Sequence, residues 1–233
     1  MVTESIERLA GAVLDLVYPP RCALCERHGE WLCDRCLAGL PRADGRRCRG
    51  CWLPLPGPSC RACEERPPAF STLRSVFRYE GEVRRLVHAF KFGGQSVLGR
   101  PLAALLVDAW RGWGMDADVA VPVPLTAARA RLRGYNQALL LAREVARGIG
   151  VRPAEALRRT GRAAPQATSA GAEERRRNVA GAFAVRDGAA VAGRKVLLVD
   201  DVATTGATLN ACAEALLAAG AARVLALTLA RED

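Results

Sequence analysis

The chain has 233 residues, half of them hydrophobic and a quarter charged, with a formal net charge of +10. That length can bury a full α/β core and still carry a small second module. No apolar run approaches the roughly 18 residues of a membrane span, which excludes a bilayer-crossing helix. Glu4 and Glu7 stand where a signal peptide would be basic, so residues 3–17 are expected to form an amphipathic helix of a cytoplasmic protein.

Eight of the nine cysteines lie between residues 22 and 63, as the CxxC pairs Cys22/Cys25, Cys33/Cys36, Cys48/Cys51 and Cys60/Cys63. In a secreted chain they would suggest a disulfide scaffold. Without an export signal they read as zinc knuckles, each offering two thiolates to a tetrahedral ion. Eight thiolates match two Zn²⁺ ions. Sequential pairing would unite the first two pairs and the last two, whereas a cross-brace would alternate them. Spacing does not decide between these, and sequential ribbons are the favoured reading. Four thiolates per ion leave no open position, so both sites are expected to be structural. The segment has few large apolar residues besides Trp31, Trp52 and Leu53, so metal should supply much of its folding energy. His28 is expected on the surface.

Pro67, Pro68 and Ala69 form a plausible linker. Residues 73–79 alternate like a strand. A helix should begin at Gly81, carry Val83, Leu86, Val87 and Phe90 on one face, and end at the Gly93–Gly94 pair. Val97 to Trp110 reads as a second helix with Pro101 near its first turn. A short strand over 118–121 breaks at Pro122 and Pro124. A further helix is expected from about Asn136 to Arg147. Residues 160–178 are polar and irregular, a length of loop that is usually functional or disordered. Strands are expected at 182–185, 196–199 and 223–229.

The most specific stretch runs from Val196 to Thr208, VLLVDDVATTGAT. VLLV is the pattern of a buried parallel strand. Asp200 and Asp201 follow at its carboxyl end, where open α/β sheets bind ligands. Two adjacent carboxylates suit a vicinal diol. The loop Val202, Ala203, Thr204, Thr205, Gly206, Ala207 and Thr208 then enters a helical pattern. Its amides and hydroxyls can hold a phosphate at the helix N-terminus, and Gly206 permits φ > 0 and close backbone approach. Leu209, Cys212, Ala213, Leu216 and Leu217 share the helix's apolar face, which makes Cys212 a core residue and not a nucleophile.

These positions fill the signature of the phosphoribosyl-pyrophosphate (PRPP) loop, and the stretch resembles that of type I phosphoribosyltransferases. The resemblance implies an α/β fold, a mostly parallel sheet flanked by helices. It also implies a diphosphate site after an earlier strand. Pro122, Val123 and Pro124 are in the right place, and Arg129 and Arg133 can offer planar forks to diphosphate oxygens. A helix-start run, Arg133-Gly134-Tyr135-Asn136-Gln137, is unusual. Residues 165–183 would form a lid that excludes water from a cation-like sugar, with Arg175 to Arg177 as candidate charges and Arg176 as the catalytic candidate. Residues 129–177 hold twelve arginines against four acidic residues, most of the chain's excess charge.

Taken together, the CxxC array, Lys91-Phe92-Gly93, Val-Pro-Val-Pro, Arg-Gly-Tyr-Asn-Gln, Arg-Arg-Asn…Ala-Phe and the Asp-Asp loop resemble the ComF family. The resemblance implies a helix and double zinc-ribbon module over 1–66 and a phosphoribosyltransferase-like domain over 70–233. It implies binding of PRPP with Mg²⁺ and a role in DNA uptake beside a helicase-like competence protein. Asp200 and Asp201 would hold the ribose while phosphoribose passes to a nitrogen acceptor with loss of diphosphate. The alternative is a non-catalytic accessory protein that binds single-stranded DNA through its basic segment and uses the PRPP pocket as a sensor. No segment supplies an evident nucleobase reader.

Overall fold

A computed structural model describes residues 19–160 and 181–233. The chain forms two compact units, residues 1–40 and 41–233. The first contains a short helix α1 (Asp34–Ala38). The second opens with another, α2 (Arg61–Glu65). The second half of the cysteine-rich segment therefore belongs to the same unit as the rest of the chain. Pro67 and Pro68 border a cavity of this larger unit, and Ala69 donates its N–H to Asn210 Oδ1 at 2.7 Å. The expected linker is thus tied down inside that unit.

A five-stranded sheet forms the centre of the larger unit: β1 (Thr72–Arg78), β2 (Val119–Pro122), β3 (Arg152–Pro153), β6 (Lys195–Ala203) and β7 (Arg223–Arg231). Its order is β1-β7-β6-β2-β3, and every pairing is parallel. Parallel sheets are covered on both faces and read as continuous apolar runs. Val196 to Val199, the middle of β6, are wholly buried accordingly.

The flanking helices are α3 (Gly81–Phe92), α4 (Gly99–Gly112), α5 (Ala127–Arg133), α6 (Gln137–Ile149) and α7 (Ala207–Ala218). Helix α3 buries Val83, Leu86, Val87 and Phe90, the face its periodicity predicts. Helix α6 packs on β2 and β6, and α4 packs on α6. Gly148 makes that last contact possible, since a Cβ there would lie 2.6 Å from Val107. Helix α7 buries Leu209, Cys212, Ala213 and Leu216, but Leu217 is exposed. Burial pushes the Cys212 thiol well up, in keeping with an inert core residue.

Strands β3 and β4 and helices α1, α2 and α5 have no counterpart in the sequence reading. β4 (Leu157–Arg159) pairs antiparallel with β5 (Phe183–Val185), so the strand expected at 182–185 lies in a separate ribbon and not in the central sheet. Helix α5 buries none of its residues and shows no apolar stripe. The helix expected over 3–17 lies outside the described residues.

Candidate functional site

The carboxyl ends of β6 and β2 meet the ends of α3, α5 and β4 around a cavity of about 160 Å³. In β6 the buried run Val196 to Val199 leads directly into Asp200 and Asp201. The Asp201 side chain is buried and its Oδ1 lies 2.9 Å from Lys91 Nζ. Asp200 is half-buried and accepts the Asp201 N–H at 2.8 Å. Burial first, and the Asp201 charge second, push the Asp200 carboxyl up to about 7. Its neighbours Lys91 and Arg133 oppose that rise without cancelling it.

After Ala203 the chain turns through Gly206, whose φ of +75° lies in the left-handed region that favours glycine. Helix α7 begins at the next residue. Twelve residues of helix thus point an N-terminus at the loop, the arrangement in which backbone N–H groups favour an anion. Thr208 lines the cavity with Asp200, Asp201 and Val202, whereas Thr204, Thr205, Gly206 and Ala207 line a second cavity.

On the facing side, Pro122 is the last residue of β2. Val123 donates to Val199 O at 3.0 Å, which extends the β2–β6 ladder past the proline. Val123, Pro124, Arg129 and Arg133 all line the cavity, so the structure brings the candidate diphosphate loop opposite the aspartates. Thr126 caps α5 by accepting the Arg129 N–H at 3.1 Å, which fixes where the arginines begin. The guanidinium of Arg133 sits 4.8 Å from the centre of the Phe92 ring and donates to Gln137 Oε1 at 3.0 Å. Arg176, with Arg175 and Arg177, lies outside the described residues.

Sequence reasoning assigned no role to Lys91 or Arg159. Lys91 is one of two lysines in the chain, against 32 arginines, and that rarity was the available signal. Arg159 enters the cavity from β4, stacked 4.8 Å from the Phe183 ring. Burial, then the Arg129 charge, lowers its pKa. The Nε atoms of Arg133 and Arg159 are buried and make no hydrogen bond among the described residues. Buried donors without acceptors are costly, and two beside one cavity fit an anionic ligand.

The Arg-Gly-Tyr-Asn-Gln run proves to be a brace. Gly134 ends α5 in the left-handed conformation. The Tyr135 hydroxyl donates to Phe90 O, and Gln137 Nε2 donates to the same carbonyl at 3.4 Å. Asn136 Oδ1 accepts the Ala138 N–H at 3.0 Å to cap α6, while its Nδ2 donates to Val123 O at 3.2 Å. These bonds pin the end of α3, and with it Lys91, to the loop after β2.

The cysteines form two quartets: Cys22, Cys25, Cys33 and Cys36 in the smaller unit, and Cys48, Cys51, Cys60 and Cys63 in the larger. Pairing is sequential. Within each quartet the ligand atoms all lie within 4.8 Å of one another. The sulfur–sulfur distances Cys25–Cys33 and Cys48–Cys63, both 3.7 Å, and Cys51–Cys60, 3.6 Å, are near the roughly 3.8 Å expected of thiolates arranged tetrahedrally about zinc. Both quartets therefore fit a zinc ion. His28 is exposed.

Residues 13–67 match the double zinc ribbon domain, and residues 136–233 match the phosphoribosyl transferase domain. The chain is 35% identical to the DNA utilization protein YhgH of Escherichia coli O6:H1, covering 93% of this chain and 99% of that protein. It is 30% identical to Competence protein F of Haemophilus influenzae over 85% of this chain and 96% of that one. Identity to Competence protein ComFC of Streptococcus pneumoniae is 26%, covering 86% and 87% of the two chains.

Proposed function

The chain belongs to the ComF family, and from that premise we propose that it binds PRPP with Mg²⁺ and transfers its phosphoribosyl group, with release of diphosphate, in the service of DNA uptake. The observation that carries this reading is the meeting of the Asp200–Asp201 pair with Lys91, Arg129, Arg133 and Arg159 around one cavity at the carboxyl end of the sheet.

Each group has a part that its position supports. Asp200 and Asp201 accept hydrogen bonds from the ribose diol. The loop 204–208 and the N-terminus of α7 hold the 5′-phosphate. Arg129, Arg133 and Arg159 take diphosphate oxygens, and the buried Nε donors of the last two then find acceptors. Lys91 orients Asp201. The carboxylates also suit the hard oxygen preference of Mg²⁺, which would neutralise charge on the departing diphosphate. Catalysis would then rest on positioning and on charge already in place.

The names of the relatives support a place in DNA uptake or utilisation. The excess of arginine over 129–177 supports contact with a single strand, and a helicase-like protein remains the expected partner. The test is release of diphosphate from PRPP across nitrogen acceptors, with and without single-stranded DNA. Release that Asp201→Asn abolishes supports transfer. PRPP binding with no release under any acceptor favours the sensor reading instead.

A further inference from the structure

Residues of the phosphate loop also border a larger cavity, of about 470 Å³, whose lining does not include the aspartates. Cys51 and Cys63 of the second quartet border it, as do Thr204, Thr205 and Gly206 of the loop. Between them stands Arg231, near the end of β7. Apart from the exposed Arg223 and the buried Thr228, the rest of β7 is apolar, and Arg231 is only 3% exposed. Its Nη1 donates to Thr204 O at 2.6 Å, and its Nε makes no hydrogen bond among the described residues.

A buried guanidinium needs compensating charge, because an uncompensated buried cation is strongly destabilising. The favourable charges around Arg231 are Cys51, Asp233 and Cys63, and Arg47 acts against it. Asp233 is already committed. Arg47, itself almost fully buried, grips it through two bonds of 2.5 and 2.9 Å. One carboxylate therefore faces two buried arginines. Four thiolates around a divalent ion carry two net negative charges, which supplies the balance.

We infer that Arg231 is a positioning residue that ties the second cysteine quartet to the phosphate loop, so that a metal ion held there sets the conformation of residues 204–208. The inference rests on the reading that this loop holds a phosphate. The backbone supports the same linkage. β7 and β6 are paired through Ala203 and Arg231, and Glu232 donates to Ala203 O at 2.9 Å. The carbonyl that Arg231 holds belongs to the first residue past that ladder. The second metal site is then part of the loop's support as well as the ribbon's.

The experiment uses the full-length, zinc-loaded protein with two readouts, hydrogen exchange of the 204–208 amides without ligand and calorimetric titration with Mg²⁺–PRPP. Arg231→Met should speed exchange of those amides and weaken PRPP binding by roughly tenfold or more, the scale of a lost charged hydrogen bond. Exchange in α6 should stay unchanged. Arg231→Lys, which keeps the charge, should recover part of both. Cys60→Ser, which impairs the second quartet, should loosen the loop in the native background and add little in Arg231→Met. Additive effects, or loop exchange unaltered in Arg231→Met, would overturn the coupling. If Cys60→Ser does not fold, the Met and Lys variants decide alone. Absence of PRPP binding by the native protein would refute the phosphate-loop reading, and the exchange readout would still report on the coupling.

Discussion

The two cysteine quartets share ligand type and CxxC pairing, yet their surroundings differ. The first is held by bonds local to its own ribbon, such as Cys22 N–H to Arg27 O at 2.8 Å and Ala23 N–H to Trp31 O at 3.0 Å. The second is stitched into the unit that carries the parallel sheet. Leu73 of β1 donates to Gly50 O at 2.7 Å, Thr72 Oγ1 donates to Arg49 O at 2.7 Å, and Trp52 Nε1 donates to Ser75 O at 2.9 Å. Arg47 reaches across to Asp233. One metal-binding pattern thus serves in one unit as a local staple and in the other as an abutment for the sheet edge.

The sharpest way to break that contrast is to impair each quartet in turn. Cys60→Ser should destabilise the larger unit by about 3 kcal/mol or more, which for its size is roughly 6–12 °C in melting temperature. Cys25→Ser should leave the melting of the larger unit unchanged while lowering the zinc content. Calorimetry with metal analysis reads both. Equal effects of the two variants on the larger unit would erase the distinction.

Within the larger unit, the loop can be probed without touching metal. Asp201→Asn should weaken Mg²⁺–PRPP binding by roughly tenfold to a hundredfold, since it removes a charged acceptor and leaves Lys91 unpaired. Gly206→Ala should cost about 1–2 kcal/mol of stability, because a Cβ is strained at φ +75°. Gly148→Ala, at the contact of α6 with α4, serves as a control. Its clash with Val107 should cost about 1–3 kcal/mol and leave PRPP affinity intact.

The smallest effect concerns pH. Asp200 is raised in the fold to about 7, so the folded state binds its proton more tightly than the unfolded chain does. Its contribution favours the fold at low pH and is lost as the pH rises toward and through about 7. A ligand that needs the carboxylate must displace that proton. PRPP affinity should therefore rise between pH 6 and 8, by up to about tenfold per unit below the Asp200 value. Asp200→Asn should remove this part of the slope, which titration across that range measures.

Much of this was legible in the chain itself, for identifiable reasons. β6 and α7 announce themselves because a wholly buried parallel strand must be an apolar run and a left-handed turn calls for glycine. The quartets are legible because each ligand pair is local. Helix α5 was hidden because it buries nothing, and β3 because two residues carry no period. Arg231 was hidden for a different reason. As sequence it is a polar end to a strand, and its partner Thr204 lies 27 positions away. The Arg-Gly-Tyr-Asn-Gln run was visible as unusual, but its bonds to Phe90 and Val123 depend on the tertiary fold.

The central claim is that the Asp200–Asp201 pair and the loop after it form a PRPP site. Calorimetric titration of zinc-loaded protein with PRPP and Mg²⁺ tests it most directly. The account predicts saturable binding of one PRPP per chain, weakened in Asp201→Asn. No heat of binding at millimolar PRPP, from protein whose melting and zinc content are intact, would contradict it.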